Sequence, residues 1–468
     1  MLSYFRINDP YRVFGLLALQ ILVFLPLLID PPPLTLPELK GMILGQKALS
    51  GFFLYSDVID STAPLTGLLY SLMHFLFGDS VLARHILSLL LIFGLAVFVG
   101  IIYIDKKVFP ENSFVPSLTF ALLFAFTFDA LSLSGELFGL FFMLLAMNSL
   151  FKEIEFREES FEMVLKMGVF TGVASLFAFS FVVFVPGSLL MLLMFTRSSA
   201  RKFLLLLIGF GIPHLLTLSV YYINDGAADF WRHFYLTNLS FTRTPFVDLA
   251  DTIPLVLTPL AFLLAALVMV NRESRLTKYQ SQVLQAMFFW TVFSIVQIFY
   301  AKEFKPQTCI VMLPGIAFFV AHFFLIIRRK LFAEIALWIL IVGLVSGNYY
   351  VRYFNLNDES FRGLVAAGYS SGAPKKVVIL SNELGAYAGN EMATPFLNWN
   401  LAREIFEGPQ YYENVIRVYR GFHEDPPDVI IDPDGVMVPF LNRIPELRKS
   451  YVRSDEGFRR VNAAAVNN

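Results

Sequence analysis

The sequence predicts an α-helical polytopic membrane protein of about eleven transmembrane helices, with interfacial helices in its first outer loop and a small C-terminal α/β soluble domain. Three observations predict this class. The 468 residues are 56% hydrophobic and only 16% charged. Their mean hydropathy of +0.64 exceeds what a water-soluble core can bury without large exposed apolar patches. Apolar runs of transmembrane length also recur as far as residue 348, and a more polar segment follows them.

The transmembrane spans are predicted from the length of the apolar runs. A helix needs about twenty apolar residues to cross about 30 Å of hydrocarbon. We predict spans, each with an uncertainty of about four residues at its ends, at 13–29, 84–104, 114–130, 132–150, 164–180, 181–196, 203–223, 254–270, 283–300, 307–327 and 331–348.

The distribution of Lys and Arg predicts the orientation, because short cytoplasmic loops carry an excess of both residues. With a cytoplasmic N-terminus, sixteen basic residues lie on the cytoplasmic side and six on the other side before the last span. The cytoplasmic set is Arg6, Arg12, Lys106, Lys107, Lys152, Arg157, Lys166, Arg197, Arg201, Lys202, Arg272, Arg275, Lys278, Arg328, Arg329 and Lys330. The outer set is Lys40, Lys47, Arg232, Arg243, Lys302 and Lys305. An odd number of spans then places the C-terminal domain outside.

Two outer loops are predicted to contain interfacial helices. The first loop, residues 30–83, has a helical segment at Leu36–Leu49 and an apolar stretch at Ala63–Phe77 that is too short to cross a bilayer. A second outer segment, Asn224–Ile253, places Trp231 and other aromatic residues among basic ones, which is typical of an interfacial helix.

The tail is predicted to be a small α/β domain, so we divide the chain into domains 1–350 and 351–468. Lys375–Leu380 and Asp428–Asp432 have the pattern of short buried strands, and Leu401–Phe406 and Pro439–Tyr451 that of helices. Within the sequence DVIIDPDG, Asp432 and Asp434 are interpreted as a strand end followed by a turn, because the rest of a calcium-loop pattern is missing.

Net charge and cysteine content limit the possible partners, disulfides and metal sites. The net charge of −1 gives no indication of a nucleic-acid partner. Cys309 is the single cysteine, which excludes an internal disulfide and argues against a cysteine-based metal site.

Carboxylates are concentrated at the predicted outer boundary of the membrane. Glu38, Asp57 and Asp60 lie in the first loop, while Asp129 and Glu136 flank the turn between the third and fourth predicted spans. Ionisable groups at this depth are costly and suggest function. Acids that converge from two loops would supply a general base or a cation site. The structural alternative is that each carboxylate simply faces water at a loop.

Basic side chains at the same boundary suit a lipid phosphate, since Arg forks and Lys ammonium groups recognise phosphate oxygens. The predicted substrate-binding residues, acidic and basic together, are Asp57, Arg84, Asp129, Arg232, His233 and Arg243. The alternative for the basic residues is that they snorkel to lipid headgroups. That alternative applies most to Lys302 and Lys305, whereas Arg84 lies beside the acidic first loop.

The first outer loop resembles that of GT-C class membrane glycosyltransferases, above all the branch of the protein mannosyltransferases and the aminoarabinose transferases of lipid A. The family pattern is an acidic pair at the start of a juxtamembrane helix, a glycine, an LY-x-D turn, a Pro-Leu helix start and a final Phe-Gly-x-Ser before an Arg. The matching residues are Glu38, Gly51, Leu54, Tyr55, Asp57, Asp60, Pro64, Leu65, Phe77, Gly78, Ser80 and Arg84. The long first loop, the many spans and the outer tail domain extend the resemblance along the chain.

The resemblance implies inverting transfer of a sugar from a polyprenyl-phosphate donor to a glycan, lipid or protein acceptor at the outer face of a membrane, expected to be the bacterial inner membrane. It implies that Glu38 is the general base or its neighbour. Asp60 and Glu136 would assist catalysis or bind the acceptor, and Arg84 would contact the donor phosphate. Members of the class differ in whether they need a divalent cation, so this requirement stays open.

Two other functions stay open. The family pattern has paired acids at the first loop helix, whereas this chain has Pro37-Glu38. If the missing acid means that catalysis is lost, the chain would be an inactive GT-C-like subunit or scaffold of a cell-envelope assembly. It would bind envelope proteins through its C-terminal domain. A transporter of lipid-linked sugars is the third possibility. Against it, the sequence shows no pair of Gly- or Pro-broken spans at matching positions in two halves.

Overall fold

The computed structural model describes residues 1–156, 161–196, 199–270, 276–355, 361, 364, 375–393 and 395–461. In this part of the chain, eight helices are long and apolar enough to cross a membrane. They are Arg12–Ile29, Val81–Asp105, Gly135–Glu155, Ala200–Ile223, Ala250–Val270, Lys278–Tyr300, Pro306–Ile326 and Lys330–Phe354. Each coincides with a predicted span. Arg157, Arg197, Arg272 and Arg275, which contribute to the predicted orientation, lie outside the described residues.

The other three predicted spans are shorter helices. Span 114–130 is the helix Val115–Leu123 with a 3₁₀ turn at Phe124–Phe126, a stretch only about 18 Å long at 1.5 Å per residue. Its residues are buried throughout. Hydropathy therefore reports burial among other helices here as much as contact with lipid. Spans 164–180 and 181–196 are Phe161–Phe177 and the pair Phe179–Val183 and Phe184–Phe195. The number of crossings stays a prediction.

The chain forms two compact units. The first comprises Met1–Pro32, Ser80–Thr217 and Phe241–Arg362. It contains seven of the eight long helices entirely, and the first eighteen residues of the remaining one, Ala200–Ile223. The second comprises Pro33–Asp79, Leu218–Ser240 and Gly363–Asn468. The second unit thus groups the first loop with the tail. The sequence-based division at residue 350 stays a prediction.

A five-stranded mixed sheet organises the tail part of the second unit. Its strands are β1 (Lys376–Ile379), β2 (Glu391–Met392), β3 (Val429–Ile431), β4 (Tyr451–Ser454) and β5 (Gly457–Arg460), in the order β2-β1-β3-β5-β4. Strands β2, β1 and β3 are parallel, and β3-β5 and β5-β4 are antiparallel. The predicted α/β tail is confirmed, and β1 and β3 are the two predicted strands.

The helices of the tail correct the sequence prediction in one place. The helices are Trp399–Glu407, Tyr412–Glu424, Val438–Arg443 and Pro445–Ser450. The single predicted helix Pro439–Tyr451 is wrong, because the chain is extended at Ile444, the residue before Pro445. Proline disfavours the α conformation in the residue that precedes it.

The core of this unit joins the sheet to the first loop. Val378 and Ile430 of the sheet pack with Phe396, Phe406 and Phe422, and Ile59 of the first loop belongs to the same buried cluster. Backbone hydrogen bonds run from Ile59 N to the Pro395 carbonyl (2.8 Å) and from Asn398 N to the Ile59 carbonyl (3.1 Å). The first loop is therefore part of the folded core of this unit.

The two interfacial helices of the first loop have nearly the predicted bounds. We name Leu36–Leu49 the first loop helix and Pro64–Phe77 the second loop helix. They cross closely at Gly45, where an added Cβ would lie 2.4 Å from the Tyr70 carbonyl oxygen. In the second unit, the segment after residue 224 is also helical, over Ala227–Phe230, Trp231–Leu236 (π-helical) and Thr237–Leu239.

Small residues set a close backbone contact between two helices of the first unit. Helix Phe161–Phe177 meets helix Ala200–Ile223 where a Cβ on Gly168 would lie 2.3 Å from the Leu206 carbonyl oxygen. A Cβ on Gly209 would lie 2.4 Å from the Leu165 carbonyl oxygen. Glycines that let two backbones touch are the usual basis of helix association in membranes, where lipid is as apolar as the side chains.

Two glycines of one helix give a matched test of this contact. We expect Gly209→Ala to destabilise the protein by about 1–3 kcal/mol, because the new methyl group forces the backbones apart. Gly211→Ala is the control, because nothing lies within 4 Å of an added Cβ there. It should be neutral or stabilising by up to about 1 kcal/mol through helix propensity. Unfolding of both variants in detergent measures the difference, and equal stability would disprove the close contact.

Candidate functional site

Glu38 lies at the start of the first loop helix and completes a capping box. Its backbone N–H donates to Thr35 Oγ1 (3.4 Å), and its carboxylate Oε2 accepts from the Thr35 hydroxyl (3.0 Å) and backbone N–H (3.4 Å). An acid in this position also interacts favourably with the helix dipole. The side chain is only half-buried. Glu38 thus holds the helix start and keeps access to its surroundings.

Asp57 closes the turn that follows the first loop helix. Its carboxylate accepts a hydrogen bond from Phe53 N (2.8 Å), and Tyr55 N donates to the Val58 carbonyl (2.9 Å). Tyr55 has a φ of +77°, a strained conformation for a bulky residue. Its buried ring packs against Tyr221 (5.3 Å between ring centroids), and its hydroxyl donates to the Thr62 carbonyl. These contacts hold the strained turn.

Asp60 is fully buried and paired with a lysine of the first loop helix. Lys40 Nζ lies 2.9 Å from Asp60 Oδ1, and the side chains are 7% and 0% exposed. Thr62 N donates to Oδ2 (2.9 Å), and Asn398 Nδ2 donates to Oδ1 (3.3 Å). The alternative in which this carboxylate faces water is therefore wrong.

The pKa of Asp60 reflects a balance of opposed effects. Burial acts to raise it, because a buried carboxyl group loses the hydration of its charged form. The Lys40 charge and the hydrogen bonds of Thr62 and Lys40 outweigh burial, and the pKa lies below its ordinary value. Asp60 is thus a structural anion and a poor proton acceptor.

A second lysine of the same helix also forms a buried ion pair that sequence reasoning missed. Lys47 Nζ lies 2.6 Å from Asp425 Oδ2, and Lys376 Nζ lies 2.7 Å from the other oxygen. The hydrogen bond to Asp425 raises the pKa of Lys376. Lys40 and Lys47 are seven residues apart, so they share one face of the helix. That spacing in an apolar segment was the available signal.

Arg232 and His233 brace the helical segment after Ala227 against the tail. Arg232 Nη2 lies 3.2 Å from Glu404 Oε2 at an exposed position. His233 Nε2 lies 3.9 Å from Asp229 Oδ1, and Arg417 donates to that oxygen (2.9 Å). Burial lowers the pKa of His233, Arg417 and Arg232 lower it further, and Asp229 opposes them. The imidazole is therefore neutral at pH 7 and would meet a phosphate as a hydrogen-bond donor.

Asp129, in the first unit, is buried, and its side chain contacts the N-terminus of the helix that begins at Pro306. Its Oδ2 accepts from Gln307 N (3.0 Å), in the first turn of the span Pro306–Ile326, and its Oδ1 accepts from the Thr127 hydroxyl. Gln307 Nε2 donates in turn to the Ser132 carbonyl (2.6 Å). The carboxylate thereby caps a helix N-terminus. The predicted turn between Phe126 and Gly135 is itself buried, so Asp129 does not face water.

Glu136 joins the same two segments of the first unit. It lies in the first turn of helix Gly135–Phe156, and its Oε2 is 3.2 Å from Lys305 Nζ. Both side chains are partly exposed, at 15% and 10%. The sequence leaves Lys305 open between phosphate recognition and snorkelling to headgroups, and the structure places its ammonium group in this ion pair.

The remaining predicted basic residues lie in the first unit. Arg84 is buried in the first turn of helix Val81–Asp105, whose N-cap Ser80 accepts a hydrogen bond from Ala83 N. Arg243 is exposed, with its guanidinium 5.9 Å from the Phe304 ring centroid. The segments that carry Arg243 and Lys302 are paired through Thr244 N and the Lys302 carbonyl (3.0 Å).

The predicted acids divide between the two units. In the first unit, Asp129 and Glu136 are held by neighbouring residues, Gln307 and Lys305. In the second unit, Glu38 and Asp60 have separate partners, Thr35 and Lys40. The prediction that acids of both units line one cavity stays a prediction.

The oxygen atoms of the two buried acids already have partners within the protein, and the requirement for a divalent cation stays open. Both oxygens of Asp60 and both of Asp129 already accept hydrogen bonds or pair with lysine. Among the residues that the structure describes, no three His, Cys, Asp or Glu side chains are grouped to hold a metal ion. No step is therefore assigned to a cation.

In the tail, Asp432 accepts hydrogen bonds from Val436 N and Met437 N (2.9 Å each), which confirms that this segment is a strand end followed by a turn.

Comparison with known proteins identifies the fold. No protein-family model matches the sequence, and no curated protein matches it. The crystal structure of the oligosaccharyltransferase from Archaeoglobus fulgidus in its apo form matches with a TM-score of 0.50 at 10% sequence identity, over 97% of this chain and 75% of that one. The chain has the GT-C fold.

Two further structures resemble this GT-C chain at lower scores. AglB from Archaeoglobus fulgidus, in complex with an inhibitory peptide and a dolichol-phosphate, has a TM-score of 0.49 at 10% identity over 97% of this chain and 74% of that one. ArnT from Cupriavidus metallidurans bound to undecaprenyl phosphate has a TM-score of 0.47 at 12% identity, over 93% and 88%. The match to the apo oligosaccharyltransferase alone confirms the predicted GT-C class at the level of fold, and the eight long apolar helices identify an integral membrane protein.

The Lys40–Asp60 pair generates a prediction about stability. Asp60→Asn should destabilise the second unit by about 3–5 kcal/mol, because it leaves a buried lysine without its counter-charge. The double variant Lys40→Met/Asp60→Asn should recover much of this loss, since it removes both charges and keeps an acceptor for Thr62. Chemical unfolding in detergent at pH 7 measures both effects.

The pH dependence tests the same pair independently. Because the folded-state pKa of Asp60 is lowered, its stabilising contribution is present above the unfolded-state pKa of about 3.9 and is lost as the pH falls through the folded-state value. The double variant should therefore lose less stability than the wild type on acidification below about pH 4. Identical acid profiles would show that Asp60 carries no paired charge.

Proposed function

We propose that this chain transfers a sugar from a polyprenyl-phosphate-linked donor to a hydroxyl-bearing glycan, lipid or protein acceptor at the outer face of a membrane. The observation that carries the proposal is a GT-C fold over 97% of the chain, with a half-buried carboxylate, Glu38, at the start of the first loop helix. Fold alone does not specify function, so the proposal depends on that carboxylate and on Glu136.

The proposed reaction requires a base and a stabilised leaving group. Glu38 would accept the proton of the acceptor hydroxyl while the oxygen of that hydroxyl bonds to the anomeric carbon of the sugar. The bond from that carbon to the phosphate oxygen breaks with inversion, and the polyprenyl phosphate leaves with the electron pair. The guanidinium of Arg84 would stabilise the negative charge that develops on the phosphate.

The other predicted residues receive roles that match their surroundings. We assign Asp60 a positioning role, because Lys40 holds it buried and ionised. Glu136, which is partly exposed beside Lys305, would orient the acceptor. Asp129 and Asp57 would hold the turns that carry the substrate-binding groups, since each accepts backbone hydrogen bonds. Arg232, His233 and Arg243 would contact donor or acceptor.

One observation favours a second candidate function, that of a catalytically inactive GT-C subunit. Where the family pattern has two acids, this chain has Pro37 before Glu38, and Asp60 is occupied by Lys40. Such a subunit would act through envelope proteins bound to its tail. The Glu38 experiment separates the two functions.

Glu38→Gln is a sharp test because glutamine also completes a capping box, so the helix start stays intact while the base is lost. In cells that lack the chain, wild-type protein should restore a product seen by mass spectrometry of surface glycans, glycolipids and glycoproteins. Glu38→Gln and Glu136→Gln should each lower that product by about a hundredfold or more at equal protein level.

Glu413→Gln is the matched control, because Glu413 is exposed at the start of the tail helix Tyr412–Glu424. It should restore the product fully. If the two test variants also restore it fully, catalysis through these acids is wrong and the inactive subunit is favoured. Uptake of a labelled lipid-linked sugar by vesicles that hold the protein and no acceptor would instead indicate transport.

A further inference from the structure

A small apolar cavity lies between the two loop helices of the second unit. Its volume is about 210 Å³, and it is open on one side. Leu44 and Ala48 of the first loop helix, Gly67 and Ser71 of the second, Leu54 of the turn and Tyr221 form most of its wall. None of the residues that line it is charged. The cavity is separate from the acids discussed above.

The surrounding backbone prevents this cavity from closing. The helices touch at Gly45 and Tyr70, where an added Cβ would be only 2.4 Å from a carbonyl oxygen. Beyond that contact, Ala48 and Gly67 line the gap, and Leu54 packs directly on Gly67, where an added Cβ would lie 2.8 Å from Leu54 Cδ2. Gly51, with a φ of +91°, begins the turn that forms the end wall, and Tyr221 is fixed by a stacked contact with Phe230. These contacts border the gap.

The mouth of the cavity is surrounded by exposed apolar side chains. Leu68 at the rim is 66% exposed, and Phe53 is 45% exposed. Further along the second loop helix, Leu72, Phe75 and Leu76 extend this exposed apolar surface. In an integral membrane protein, a surface of this kind contacts hydrocarbon. The opening of the cavity is therefore continuous with the lipid-facing surface of the second loop helix.

An apolar cavity of this kind does not hold water, and an empty one loses the dispersion contacts of its lining. The ammonium group of Lys47 lies 5.1 Å from the ring of Phe52, which lines the cavity, and its charge is already matched by Asp425. Nothing in the lining would therefore favour a phosphate-headed carrier over other lipids. We propose that the cavity binds one acyl chain of a bilayer phospholipid, which anchors the first loop in the membrane. This proposal is independent of the proposed function.

The test places the full chain in phosphatidylcholine vesicles that contain a phosphatidylcholine with a diazirine at the end of one acyl chain. After irradiation and digestion, we expect the label to be concentrated on the cavity-lining residues of 44–71. Ser71→Trp should lower that labelling by about fivefold or more, because an indole fills the space of the chain. Leu72→Trp, on the lipid-facing side of the same helix, should leave it within about twofold.

Ala48→Leu fills the cavity from the opposite wall and serves if Ser71→Trp does not fold, as judged by size-exclusion chromatography. Replacing half of the vesicle lipid by phosphatidylglycerol with the same chains should leave the labelling unchanged. Even labelling along the exposed helix face, or full labelling of both filled variants, would overturn the proposal. So would displacement of the label by stoichiometric undecaprenyl phosphate, which would assign the cavity to a prenyl chain.

Discussion

The buried ion pair between Lys40 and Asp60 constrains how the segments of the second unit meet. It joins the first loop helix to the segment that follows it, and Asn398 adds the tail to the same carboxylate. A buried charge is tolerated only when it is paired and hydrogen-bonded, so these segments must meet with little freedom. The Lys47–Asp425–Lys376 cluster repeats this arrangement two helical turns further along.

This constraint explains why the long first loop has a fixed conformation. A loop of nearly fifty residues would ordinarily be mobile. Here Ile59 pairs with the tail backbone and packs into the tail core, so the loop is part of a folded unit. Glu38 then starts a capped helix that belongs to a folded unit, and the proposed general base requires such positioning.

The first unit uses polar groups in a related way at the ends of its helices. Asp129 caps the start of the span at Pro306, and the Glu136–Lys305 pair links that start to the helix at Gly135. Such contacts satisfy backbone N–H groups that would otherwise be unpaired near hydrocarbon. Deeper in the unit, Gly168 and Gly209 replace polar contacts with direct backbone packing. In these examples, polar and charged side chains hold the helix ends, and close packing at glycines holds the middle of the helices.

By itself the sequence determined the membrane class, the eight long spans, the loop helices and the two central strands of the tail, because each depends on local composition and periodicity. Its first loop also determined the resemblance to the GT-C class. Only the tertiary structure decided the environment of each acid. Asp60 and Asp129 are adjacent to their partners in space but not in sequence, since Lys40 and Gln307 lie twenty and 178 positions away. A side chain's exposure and charge state depend on such distant neighbours, and no local pattern encodes them.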